Sequence, residues 1–137
     1  AVDAAFDNNG NVVSIGTANF GDIRMTAENF VLATGSFFSK GMVATPEKVY
    51  EPVFGLDLIY GEKRENWFDR NFWNKQNYIS YGAKVSKFLH ASIDGKPIAN
   101  LYAIGSIIAG SNTLYEGCGG GIALLTALAA ADSILEK

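Results

Sequence analysis

The stretch 116–135, EGCGGGIALLTALAAADSIL, constrains this chain more than any other: four glycines crowd around one cysteine, and a nearly apolar run follows. A helix that starts at such a cluster presents unpaired N–H groups and the positive end of its macrodipole. Without Cβ atoms, a flat or anionic ligand can come within hydrogen-bonding distance of that backbone. The pattern therefore predicts an anion-stabilising site at the head of a helix running from Gly121 to about Glu136. Thr126, Asp132 and Ser133 interrupt the apolar run, which is also shorter than the ~20 residues a bilayer crossing requires. It reads as a buried helix, apolar nearly all round and packed against a sheet or between elements.

Two further segments share an ending. Residues 30–33 (FVLA) and 101–104 (LYAI) are continuous apolar runs that stop at Gly35 and Gly105, each followed by serine. Continuous rather than alternating apolarity is the mark of strands covered on both faces. In an open α/β sheet, ligands bind in the crevice beyond the carboxyl ends of the strands, where these glycines would sit. Two familiar phosphate motifs fail here. GSIIAGSN has the glycine spacing of a P-loop but places Ser111 where the lysine belongs, and Gly117 with Gly119 would need a small residue at 122, where Ile122 stands.

The rest of the chain bounds the possibilities. At 137 residues it is the size of one domain. Eleven Lys and Arg against fourteen Asp and Glu give a net charge of -3 with no basic block, which argues against nucleic acid as a partner. One cysteine and one histidine, far apart in sequence, offer no metal-binding cluster. The chain opens on AVDAAFD without an initiator methionine and is expected to be a fragment. Residues 1–29 read as a β-meander, with turns at Asn9–Gly10 and Gly21–Asp22. Residues 37–96 are irregular, with a possible helical turn around 65–74 and a possible strand in VFGLDLIY. A turn at Asp94–Gly95 leads into the second apolar strand.

NFVLATGSF, NLYAIGS and GCGGGIALLTALAAADSI together resemble the C-terminal half of two-dinucleotide-binding-domain flavoproteins. More narrowly, FVLATGSFFSKGMVA, YEPVFGLDL and IANLYAIGSIIAGSNTLYEGCGGG resemble the family of anaerobic glycerol-3-phosphate dehydrogenase B subunits, over roughly residues 28–135. The resemblance implies an α/β, Rossmann-like FAD/NAD(P)-binding fold carrying the meander and a less regular α+β insertion. Residues 30–36 and 97–137 would form the flavin site and 37–96 a variable substrate or interface region. Thr34 and Gly35 would lie near the nucleotide half of FAD, and Gly105, Ser106, Gly117, Cys118, Gly119, Gly120 and Gly121 near the flavin. The cofactor would be FMN or FAD.

The same resemblance implies oxidation of glycerol 3-phosphate to dihydroxyacetone phosphate, or relay of its electrons toward a quinone. The partners would be a catalytic flavoprotein subunit and an iron–sulfur subunit. The expected location is cytoplasmic, peripheral at the inner face of the membrane through those partners, with no direct span. The sequence departs from the pattern in places. Ser106 stands where many relatives have an acidic residue, His90 and Ala91 stand where Arg-Pro is expected, and these residues contain no Gly-x-Gly-x-x-Gly strand–turn–helix. Two other readings stay open: a fumarate- or succinate-type oxidoreductase, and a non-catalytic assembly module without flavin.

Cys118, at a helix start, is the kind of thiol that can be activated, but no base stands near it in sequence, and it reads as a packing residue. His90 likewise reads as packing or surface. Trp67, Phe68, Phe72, Trp73, Tyr78 and Tyr81, with Arg64 and Arg70, are read as core or as a subunit interface. Glu51, Pro52, Gly55 and Asp57 match the family stretch without a chemical role that their spacing demands.

Overall fold

The computed structural model describes residues 1–136. Strands β1 (Asp3–Phe6), β2 (Val12–Gly16) and β3 (Arg24–Thr26) form an antiparallel sheet in sequence order. The first turn is closed by the Asp7 carboxylate, which accepts the N–H groups of Asn9 and Asn11 at 2.9 and 2.8 Å. Gly10 alone takes positive φ there (+83°), so Asn9 does not supply the second left-handed residue of a two-residue turn.

Strand β4 (Phe30–Leu32) opens the central region. It is followed by two-residue pairs, β5 (Val43–Ala44) with β6 (Val49–Tyr50) and β7 (Leu58–Ile59) with β8 (Gly82–Ala83). Of VFGLDLIY, only Leu58 and Ile59 are strand, and the helical turn expected over 65–74 is a 3₁₀ turn, Arg64–Asn66. Strands β9 (His90–Ile93) and β10 (Lys96–Ala103) complete a second sheet in the order β4-β10-β9, with β4 parallel and β9 antiparallel to β10. A short helix α1 (Thr113–Glu116) and a long one, α2 (Gly119–Leu135), close the chain. Among the described residues, no helix is long and apolar enough to cross a membrane.

Strand β10 is the axis of the core, with Leu101, Tyr102 and Ala103 fully buried. Its Asn100 ties the two sheets together. Oδ1 accepts the Val12 N–H at 2.9 Å while Nδ2 donates to the Val12 and Glu28 carbonyls at 2.8 and 3.2 Å, imitating a ladder partner. The EP stretch is structural. Glu51, 2% exposed, accepts the N–H groups of Val53, Phe54 and Gly55 at 3.1, 2.6 and 3.0 Å. Asp57 accepts those of Asp94 and Gly95 at 3.0 and 2.8 Å, clamping the β9–β10 turn.

Two burial expectations need correction. Strand β4 is an edge strand, so Phe30 and Leu32 are buried while Val31 between them is 48% exposed; it is not covered on both faces. Helix α2 is not buried either. Only Ala130 lies inside, and Leu124, Leu125 and Leu128 are each more than half exposed, because the helix rests on the chain along one narrow strip. An apolar run with no polar face identifies a helix that belongs in a dry environment, but it does not say which neighbour provides it.

Candidate functional site

The repeated sequence ending is a repeated geometry. Strands β4 and β10 run parallel with Phe30 opposite Leu101 and Leu32 opposite Ala103, and the Ile104 N–H donates to the Leu32 carbonyl at 3.0 Å. Both chains then turn at a glycine with positive φ, +75° at Gly35 and +71° at Gly105, a conformation other residues enter at a cost. A Cβ built on Gly35 would stand 3.4 Å from Ser106 Oγ, so the two turns meet side by side, with Thr34 exposed beside them. Gly41 closes this edge. Its N–H donates to the Ser36 carbonyl at 3.0 Å, and its backbone passes so near the Gly35 carbonyl that a Cβ would overlap it.

Helix α2 is aimed by one hydroxyl. Thr126 Oγ1 accepts the Gly105 N–H at 2.9 Å and donates to the Ile122 carbonyl at 2.6 Å, pinning the second turn of the helix over the end of β10. Ala123 lies 4.0 Å from where a Gly105 Cβ would be. The first turn, which begins at Gly119, lies about 4.5–6 Å along the axis from Ala123 at 1.5 Å per residue, on the side away from Thr126.

The glycine cluster divides by role. Gly117 takes φ +63° and terminates α1, whose N-cap is Asn112, with Oδ1 accepting the Tyr115 N–H at 3.0 Å. Gly119 stands 3.6 Å, as a Cβ, from Thr113 Cβ, which is ordinary packing. Gly120 and Gly121 are different: a Cβ on either would meet nothing within 4 Å, so neither turn geometry nor packing calls for glycine there. The N–H groups of Gly119, Gly120 and Gly121 find no acceptor among the described residues, and Cys118 makes no side-chain cap. The first intrahelical bond is Ile122 N–H to the Cys118 carbonyl, 3.0 Å. Three aligned donors, a helix dipole and an uncluttered surface fit the electron-rich edge of a flavin, and they would fit another flat anion.

Cys118 is not an activated thiol. Desolvation, then the Glu116 carboxylate, to which Sγ donates at 3.5 Å, push its pKa up despite the helix start. Nor is His90 placed for proton transfer at this site: its Nδ1 is 3.1 Å from the Ile98 carbonyl, and its ring packs on Tyr102 at 4.4 Å between centroids. Beside Ser36 and Ser106 lies a hollow of about 120 Å³, walled also by Phe37, Tyr78, Thr113 and Leu114. Of the expected site residues, Gly35 and Ser106 come together at the strand ends and Gly105 meets α2 through Thr126 and Ala123, while Gly117 serves as a turn and Gly119 packs near Thr113. Sequence reasoning gave no role to Gly41 or Thr126. The second had a signal, since a hydroxyl in an otherwise apolar helix needs a partner, whereas the close approach at Gly41 joins non-adjacent segments and leaves no mark in spacing.

The parallel strand ends and the glycine-headed helix are consistent with a flavin-binding fold, and the chain belongs to the FAD binding domain family, whose model matches residues 4–122. Its mixed sheets and flanking helix are consistent with a Rossmann-like flavoprotein. Among curated proteins it is similar to the B subunit of the anaerobic glycerol-3-phosphate dehydrogenase of Pectobacterium atrosepticum, 45% identical over 116 residues, covering 85% of this chain and 28% of that one. The corresponding B subunit of Haemophilus influenzae is 44% identical over 142 aligned positions, covering 100% of this chain and 33% of that one. That of Aliivibrio fischeri is 42% identical over 123, covering 88% and 27%. The chain spans about a third of the length of these relatives. No solved structure matches it.

Proposed function

We propose that this chain forms the flavin-pyrimidine side of a flavoprotein subunit in an anaerobic glycerol-3-phosphate dehydrogenase, oxidising glycerol 3-phosphate to dihydroxyacetone phosphate or relaying the electrons toward a quinone. The observation that carries the reading is the set of unpartnered amides of Gly119, Gly120 and Gly121 beside side-chain-free space. When bound, a flavin supplies two-electron chemistry that none of these side chains can perform.

The chain's own contribution is electrostatic and positional. The amides of Gly119, Gly120 and Gly121 hold negative charge at the pyrimidine edge, which favours the reduced state and raises the potential. Gly35 and Gly105 turn the strand ends away and keep the ring's approach open. Ser106 would offer a neutral hydroxyl to the ribityl chain, a weaker hold than a carboxylate, and Thr34 would serve the nucleotide side if the cofactor is FAD rather than FMN. The single cysteine of these residues cannot by itself ligate an iron–sulfur cluster; onward transfer of the electrons to a partner subunit is part of the proposal.

No observation favours a dicarboxylate substrate. Arg24, one of three arginines, is committed to Asp3 Oδ1 at 2.7 Å and to Ser14 Oγ at 2.8 Å within the meander. The test is the visible spectrum of the full-length protein under anaerobic conditions. Flavin bands bleached by glycerol 3-phosphate, alone or with the catalytic subunit added, and not by succinate support the reading. Bleaching by succinate would replace it with the dicarboxylate enzyme, and a colourless protein that takes up neither FMN nor FAD would leave an assembly module.

A further inference from the structure

The strip by which α2 rests on the chain is made of small or half-buried residues. Ala130 is buried, Ile122, Thr126 and Ala127 are half-buried, and Leu124, Leu125 and Leu128 are exposed. Among the described residues, the neighbours of the helix are chiefly the Gly105–Ile107 turn and α1. Where the helix meets that turn, Gly105 faces Ala123, so neither side offers more than a methyl group. Smooth surfaces of this kind set neither the height nor the rotation of a helix, because no knob enters a hole.

A hydroxyl supplies the missing coordinate. Thr126 Oγ1 donates to the Ile122 carbonyl four residues back at 2.6 Å, which orients its lone pair to accept the Gly105 N–H at 2.9 Å. Both ends of this chain of bonds are anchored. Gly105 follows Ile104, whose N–H is held by the Leu32 carbonyl of the parallel neighbour at 3.0 Å, and the Ile122 N–H closes the first turn of α2 on the Cys118 carbonyl at 3.0 Å. One side chain therefore joins the end of the β4–β10 pair to the head of the helix. Unlike apolar contact, a hydrogen bond demands a distance and a direction, and so fixes register.

The amides of Gly121 to Gly119 stand five to seven residues before Thr126, about 7.5–10.5 Å along the axis. A tilt of roughly 5° about the hydroxyl would displace them by about 0.7–0.9 Å, more than the ~0.5 Å within which a binding constellation must be held. We propose that Thr126 is a positioning residue for the flavin. Acting through the helix and not on the ring, it keeps the amides of Gly119, Gly120 and Gly121 in register with Gly105 and Ser106, and thereby sets how strongly the reduced cofactor is preferred. The inference rests on the flavin reading and adds to it the side chain that aims the donors.

The test is the midpoint potential of the flavin-loaded full-length protein, titrated anaerobically against a reference dye. Thr126→Val keeps the β-branched shape and removes the hydroxyl. It should reduce the preference for reduced over oxidised flavin by about tenfold, a fall of about 30 mV for two electrons. Thr126→Ala, which removes the hydroxyl while improving helix propensity, should show the same fall, so the result does not depend on how well the valine variant folds. Thr126→Ser restores both the acceptor and the donor and should return the potential to the wild-type value. Glu51→Gln weakens the fold at the 51–55 turn and should leave the potential unchanged, which separates positioning from loss of stability. Unchanged potentials in the valine and alanine variants overturn the inference while leaving flavin binding standing, as does an equal fall in Thr126→Ser or Glu51→Gln. A full-length wild type that takes up neither FMN nor FAD would remove the flavin reading, and this inference with it.

Discussion

Replacing Gly120 or Gly121 by alanine separates two reasons for a glycine cluster. If the glycines exist so that neighbours can pack against the helix, a methyl group will clash and the fold will weaken. The structure shows nothing within 4 Å of a Cβ at either position, and both residues lie in the first turn of α2 without left-handed φ. Alanine is then tolerated, and its better helix propensity adds up to ~1 kcal/mol, less so near the helix end. Flavin binding moves the other way. An N–H contact forms at about 2.9 Å, whereas a methyl carbon holds the next heavy atom at about 3.5–4 Å, so the ring is pushed back and one charge-assisted hydrogen bond is lost.

Such a bond is worth about 1.5–3 kcal/mol, or roughly 10- to 150-fold in Kd at 1.4 kcal/mol per decade. Because the helix end favours the reduced, negatively charged form, each ~1 kcal/mol of lost discrimination lowers a two-electron potential by about 20 mV. Urea unfolding of the full-length apoprotein reads the first quantity, and quenching of flavin fluorescence on titration reads the second. Variants that bind flavin as tightly as wild type refute the role assigned to these amides. Variants destabilised by more than ~1 kcal/mol refute the open space.

Other consequences are local. Glu51→Ala strands the three N–H groups that its carboxylate accepts and should cost about 3 kcal/mol in denaturant unfolding; Glu51→Gln, which keeps an acceptor, should cost less. Burial raises the Asp57 pKa, but the Gly95 N–H, the Ser92 hydroxyl, the Asp94 N–H and the Lys84 charge together outweigh it and hold the folded value below the ordinary one. Its stabilising contribution is therefore complete above the unfolded value of about 3.9 and is lost as pH falls through the folded value; in Asp57→Asn, unfolding midpoints should show a shallower acid limb. Thr126→Val leaves the Gly105 N–H without its acceptor and should cost about 1–2 kcal/mol, with faster amide exchange at the end of β10. Glu116→Gln removes a charge that raises the Cys118 pKa, so alkylation of the thiol near neutral pH should accelerate.

The site was more legible in the sequence than the surface around it. Gly35 and Gly105 stand at strand ends because a chain leaving a buried strand must turn at once, and glycine reports that turn in one letter. The head of α2 was legible for the same reason. Burial was not, because apolar letters state a preference and not a neighbour: Leu124, Leu125 and Leu128 read as core yet are exposed here. The irregular middle resisted because its order comes from single side chains bonding to distant backbone, Glu51 at one turn, Asp57 across 37 residues to Asp94, and Gln76 inside its own loop. Such contacts have no period. The aromatic stretch divided between interior and surface because Trp67 and Tyr81 both pack edge-on against Tyr60 while Phe72 and Trp73 meet only each other among aromatic rings, and composition carries no record of that.

Hydrogen–deuterium exchange of the full-length protein, read on the peptide spanning 117–125 with and without flavin, addresses the helix head itself. The amides of Gly119, Gly120 and Gly121 should exchange rapidly in the apoprotein and become protected when flavin is added. Amides already slow without flavin, or equally fast in its presence, would mean that the bare head of α2 serves something other than the cofactor.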